Sequence, residues 1–174
     1  TPGSKGLNAA SMLSSPRKAY LLLNVEAELD TANSQQAVAA MKAADLVVAM
    51  SAYKHNASDY ADVLLPISPF TETSGTYVST EGRVQSFKGA VKPLGEARPA
   101  WKVLRVLGNL LEISGFDQDT SEAVRDEALN DVDVQAKLNN SISGIEVNAK
   151  SANDGLHRVS VVPVYATDSI VCRT

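Results

Sequence analysis

Three short apolar runs organise the first part of the chain, within Lys18–Val25, Asp45–Met50 and Asp62–Ile67. Each is continuous rather than alternating and is bounded by polar residues, the pattern of a strand buried on both faces. Pro66 closes the third at a sheet rim. Between the first two, Asn33 or Ser34 caps a run of good helix formers with Val38 and Met41 facing inward. Strand, helix and strand in about 33 residues predict a βαβ unit. Asn8–Leu13 predicts a single helical turn ahead of Pro16, and Asn56 or Ser58 caps a short helix through Tyr60.

The pattern then becomes alternating. Thr76–Thr80 and Arg83–Phe87 are joined by Glu81-Gly82, a two-residue hairpin signal. That turn sets Thr80 opposite Arg83 and Val78 opposite Gln85. One face then carries Val78, Thr80, Arg83, Gln85 and Phe87, too polar for an interior and too apolar for plain solvent, and is the candidate docking surface. Pro99 opens a helix with an apolar stripe of Trp101, Leu104, Leu107, Leu110 and Leu111, ending at Gly115 as its C′ residue. Gly108 within it costs about 1 kcal/mol against alanine and marks close approach of another backbone.

From Phe116 the composition shifts. Thr120 or Ser121 caps a further helix, Asp133–Asn140 offers another, and Leu138–Asp154 is a loop rich in Asn, Ser and Gly. Arg158–Val162 reads as a strand ended by Pro163. The expected fold is α/β: a small parallel sheet with helices on both sides, an attached β-hairpin, and a C-terminal helical and irregular tail. Residues 1–115 form the α/β domain and 116–174 a truncated extension.

Charge and cysteine usage narrow the chemistry. The 174 residues carry 16 basic and 20 acidic groups, a net −4 with no basic cluster to track a phosphate backbone, so nucleic acid is not an expected partner. No stretch reaches the roughly 20 apolar residues of a membrane helix, so any membrane link runs through partners. Cys172 is the one cysteine, with His55 and His157 distant in sequence. A conventional iron–sulfur cluster or structural zinc site needs four such ligands, so no metal site and no catalytic residue is assigned.

Two polar stretches remain as candidates. Glu26-Ala27-Glu28-Leu29-Asp30 follows the first strand where a dinucleotide site would show glycines; its carboxylates repel phosphate and suit a solvated rim, a protein partner or sugar hydroxyls. His55, with no cysteine or carboxylate tied to it by spacing, reads as a surface loop residue. Glu72, Thr73, Ser74, Gly75 and Thr76 offer hydroxyls and backbone N–H groups to an anion, with Glu72 opposing.

The run ADVLLPI at Ala61–Ile67, Glu72, Gly75-Thr76, Glu81-Gly82-Arg83-Val84-Gln85 and Pro93–Trp101 resembles the molybdopterin-oxidoreductase family. It is most similar to that family's branch in the large iron–sulfur subunit of bacterial NADH:quinone oxidoreductase, respiratory complex I. The resemblance runs from Asn8 to Leu111, with Ser79 where asparagine is expected and Ala27 where proline is expected. It implies that the chain is a piece of a longer subunit whose complex passes electrons from NADH through flavin and iron–sulfur clusters to quinone. The fragment is then an inactive scaffold and docking domain without a cofactor. Its partners are the rest of the same subunit and other peripheral-arm subunits, at the cytoplasmic side of the bacterial inner membrane. Glu72–Thr76 becomes a vestigial pterin region. Two other readings are a fragment of an active molybdenum or tungsten enzyme such as formate dehydrogenase, and a free-standing small-molecule binding module using the Glu26–Asp30 rim.

Overall fold

The computed structural model describes residues 6–140. The strand expected at Arg158–Val162, most of the loop from Leu138 to Asp154, His157 and Cys172 lie outside these residues. A division between Leu138 and Asn139 separates the unit holding the elements below from the rest of the chain.

The architecture is α/β, as the runs predicted. Strands β1 (Ala19–Leu23), β2 (Leu46–Ser51) and β3 (Val63–Pro66) form a parallel sheet in that order, with Leu22 beside Ala49 and Ala49 beside Leu64. Helices α1 (Ala9–Ser14) and α2 (Ser34–Lys42) precede and connect the first two strands. Asn8 and Asn33 cap them, each side chain accepting a backbone N–H of the first turn. Tyr20 ties α1 to the sheet: its hydroxyl donates to the Met12 carbonyl at 3.0 Å and accepts the Arg17 N–H at 2.8 Å.

One sheet face is packed. Ala27, Ala37, Ala40, Met41 and Val47 are buried together, with Leu13, Tyr20, Leu22 and Tyr60 against them. Alanines at positions 37 and 40 let α2 sit close, and burying Met41 contributes about 1.5–3 kcal/mol. The other face carries Leu21, Leu23, Leu46 and Val63, each between 41% and 46% exposed. The expectation of runs buried on both faces therefore holds only for β2, the central strand, where Val47, Ala49 and Met50 are buried. Among the described residues β1 and β3 are edge strands, and a continuous apolar run cannot by itself distinguish an edge strand with one half-exposed face from an interior one.

The hairpin departs from its predicted pairing. β4 (Gly75–Val78) and β5 (Val84–Phe87) pair antiparallel with Gly75 opposite Phe87, Tyr77 opposite Gln85 and Val78 opposite Val84. Ser79 N–H donates to the Arg83 carbonyl at 3.0 Å and Gly82 N–H to the Ser79 carbonyl at 2.9 Å. The loop is thus Thr80-Glu81-Gly82, a turn followed by glycine at φ 79°, one residue longer than the two-residue reading. That single residue shifts the register, and a one-residue shift exchanges the faces. Val78 lies with Thr76, Val84 and Ser86, while Arg83, Gln85 and Phe87 share the opposite face with Tyr77. Thr80 is in the loop. The five residues read as one docking face do not share a face.

Helix α3 spans Ala100–Leu110 and α4 spans Ser121–Leu129, capped by Thr120. α3 ends earlier than predicted. Glu112, at φ 55°, takes the left-handed C′ place assigned to Gly115, its N–H bonding the Asn109 carbonyl while Ile113 N–H reaches the Gly108 carbonyl at 2.9 Å. Leu110 and Leu111, placed in the apolar stripe, are 76% and 61% exposed. Gly108 is buried for a different reason from the one expected. A Cβ there would fall 2.4 Å from Phe116 Cγ, so the glycine admits an aromatic ring rather than a backbone. Arg105 pairs with Asp119 at 2.9 Å, a second tie between α3 and the segment after it.

Candidate functional site

The polar loop at Glu72–Thr76 is held by its own groups. Glu72 Oε2 accepts the Leu94 N–H at 3.0 Å, Thr73 hydroxyl donates to the Ser74 carbonyl, and Thr76 Oγ1 lies 2.9 Å from Ser86 Oγ. The Phe87 ring covers Gly75, where a Cβ would meet Cζ at 2.6 Å, and stacks on Tyr77 with centroids 5.5 Å apart. The Glu72 carboxylate and two of the loop hydroxyls are thus engaged, by the Leu94 N–H, the Ser74 carbonyl and the Ser86 hydroxyl.

Beside this loop lies a cavity of about 620 Å³, lined by Glu72, Ser74, Lys88, Lys92, Arg98 and Lys102 among others. Lys88 is drawn toward Glu122 at 3.8 Å, and the Arg98 guanidinium folds back on the Gly95 and Ala97 carbonyls. The Glu122 carboxyl is held below its ordinary range, first by its own backbone N–H and then by the Ser121 hydroxyl. Lys102 sits over the Trp101 ring, 5.3 Å from its centroid. The spacing of these cations in sequence gave no hint of their convergence, because the loop between Phe87 and Pro99 brings them together.

The acidic rim after β1 is a folded turn. Glu26 N–H donates to Asp30 Oδ2 at 2.7 Å, and Asp30 N–H returns to the Glu26 carbonyl at 2.8 Å. Tyr60 bridges the rim: its hydroxyl donates to Glu28 Oε2 at 2.9 Å and accepts the Ala27 N–H at 3.3 Å. Burial, and then the neighbouring Glu28, push the Tyr60 phenol up to about 12, against the pull of the Ala27 N–H. Glu28 Oε1 is buried with no hydrogen-bond partner among the described residues. His55 follows β2 and caps the turn Asn56–Asp59, its Nδ1 accepting the Ala57 N–H at 3.1 Å. Parallel β1 and β2 end side by side, so His55 meets Glu26 and Glu28: one ligand atom from each lies within 4.8 Å of the others. Sequence spacing had left this histidine without a carboxylate; strand pairing supplies two.

Residues 1–110 match the family described as Molybdopterin oxidoreductase. The chain belongs to that family. Among its relatives, the mitochondrial NADH-ubiquinone oxidoreductase 78 kDa subunit of Candida albicans is 54% identical over 54 residues, 31% of this chain and 8% of that protein. A putative formate dehydrogenase of Staphylococcus aureus strain RF122 is 40% identical over 79 residues, 45% of this chain and 8% of the relative. The corresponding protein of strain MRSA252 is 37% identical over 84 residues. The matched segments span 8% of the length of these curated relatives.

Proposed function

We propose that the chain is part of the large iron–sulfur subunit of an NADH:quinone oxidoreductase, where it serves as a scaffold and docking domain without chemistry of its own. The observation that carries this reading is the 54% identity over 54 residues to the 78 kDa subunit; the formate dehydrogenase relative shares 40% over 79 residues. The engaged loop at Glu72–Thr76 supports the absence of a working pterin site. The half-exposed sheet face of Leu21, Leu46 and Val63 supports docking, because parallel sheets are ordinarily covered on both faces. Iron–sulfur clusters belong to other parts of the parent subunit, and its partners are the remainder of that subunit and neighbouring peripheral-arm subunits. The family-derived part ends at residue 115, with 116–174 an extension. No helix among the described residues is long and apolar enough to cross a membrane. Membership of such a subunit would give the chain a peripheral place on the cytoplasmic side of a bacterial inner membrane. One relative is mitochondrial, so a mitochondrial setting stands beside the bacterial one.

A second reading is a piece of an active molybdenum or tungsten pterin oxidoreductase. The formate dehydrogenase relatives and the lysine-lined cavity favour it. Molybdenum, tungsten and pterin analysis of the purified parent polypeptide separates the two. Iron and sulfide without stoichiometric pterin is the expected result; one pterin with bound metal per chain overturns the scaffold reading.

A further inference from the structure

We propose that Glu26, Glu28 and His55 form a site for a divalent cation of borderline softness, with Zn²⁺ the fitting probe. Three observations meet there. The donor set is mixed, two carboxylates and an imidazole, with one ligand atom of each within 4.8 Å of the others. Glu28 Oε1 is buried and has no donor among the described residues, while Oε2 is fixed by Tyr60. A buried carboxylate oxygen with nothing to bond is costly, and a cation is one partner that removes the cost. The position is the third: the three residues follow the carboxyl ends of two adjacent parallel strands, whose pairing brings them together.

The chemistry selects the metal class. Imidazole favours zinc over the hard cations magnesium and calcium, which prefer all-oxygen sets. Three protein ligands leave a fourth position for water. Tyr60 and the Ala27 N–H form the outer layer that orients Glu28, as second partners commonly do. Loading also has a consequence away from the ligands. His55 Nδ1 accepts the Ala57 N–H, which leaves the ring proton on Nε2. Ligation by either nitrogen requires the ring to release that amide.

Zinc titration of the 174-residue chain, followed by calorimetry and amide NMR, tests the proposal. The expected result is one saturable Zn²⁺ per chain, at least tenfold tighter than Mg²⁺, with the Ala57 amide resonance shifting in step. Glu28→Gln keeps an acceptor for Tyr60, and His55→Asn keeps a capping side chain, so both variants are expected to melt near wild type without metal. Each weakens zinc at least tenfold. Equal affinity for Mg²⁺, an unmoved Ala57 amide, or undiminished zinc binding in both variants overturns the site. The last result would move the metal to His157 or Cys172. Failure here leaves the scaffold reading intact, since that rests on the parent polypeptide.

Discussion

Gly108→Ala sets two known effects against each other. Alanine in a helix interior is favoured over glycine by about 1 kcal/mol, so on propensity alone the variant is more stable. The added Cβ, however, falls 2.4 Å from Phe116 Cγ and 2.5–2.6 Å from its Cδ atoms. These lie near the root of the ring, where rotation about χ2 leaves Cγ in place, so Phe116 must change χ1 or its backbone must shift. Overpacking of this kind costs about 1–3 kcal/mol. The overlap is severe enough to take the upper half of that range, and the net expectation is a loss of about 1–2 kcal/mol. For a chain of this size that lowers Tm by roughly 2–8 °C. Urea and thermal unfolding of Gly108→Ala, Phe116→Ala and the double variant measure it. In the double variant the alanine at position 108 should become stabilising, because the obstructing ring is gone. A higher Tm for Gly108→Ala in the presence of Phe116 would refute the packing of the ring on this glycine.

Other substitutions follow the same logic. Gly82→Val forces a β-branched residue to φ 79° and pushes into Gln135 and Leu138, so its urea midpoint should fall by an amount equal to roughly 1–2 kcal/mol. Glu112→Gly relieves a left-handed glutamate at the end of α3 and should raise stability by about 1 kcal/mol in the same assay. In chelator, the Tyr60 phenol should ionise near 12 by ultraviolet difference titration. Its raised pKa means that its contribution to stability is complete below the unfolded value of about 10 and is lost as pH rises through the folded value, so Tyr60→Phe should flatten the stability decline across that window. Arg83→Glu should leave the melting of this chain unchanged, as Arg83 is exposed and the five hairpin residues share no single face. A lower melting temperature would assign Arg83 to the local fold.

The parallel sheet, both early helices and the cap of the second were legible because each rests on local signals: a bounded apolar run, an Asn at the cap, a helical period. What failed was non-local. Whether β1 is an edge depends on which strands exist beyond it, and Leu21 reads the same in either case. The hairpin loop differed by one residue, since Glu81-Gly82 satisfies both a two-residue turn and the end of a three-residue one; the hydrogen bond from Ser79 to Arg83 decides between them. Glu112 hid the end of α3 because a glutamate gives no sign of a left-handed conformation, whereas Gly115 three residues later does. The Glu26, Glu28 and His55 constellation was invisible for a similar reason. Its members are brought together by pairing of β1 with β2, a contact between strands 27 residues apart at Ala19 and Leu46.

Membership of an NADH-oxidising complex, rather than of a pterin enzyme, is tested most directly by native electrophoresis of the tagged parent polypeptide from its own cells. In-gel staining for NADH oxidation and for formate oxidation would be run side by side. The scaffold assignment predicts that the tag co-migrates with a high-mass band that oxidises NADH and is silent toward formate. A tagged band that oxidises formate and contains stoichiometric molybdenum or tungsten, with no tag in the NADH-oxidising band, would contradict it.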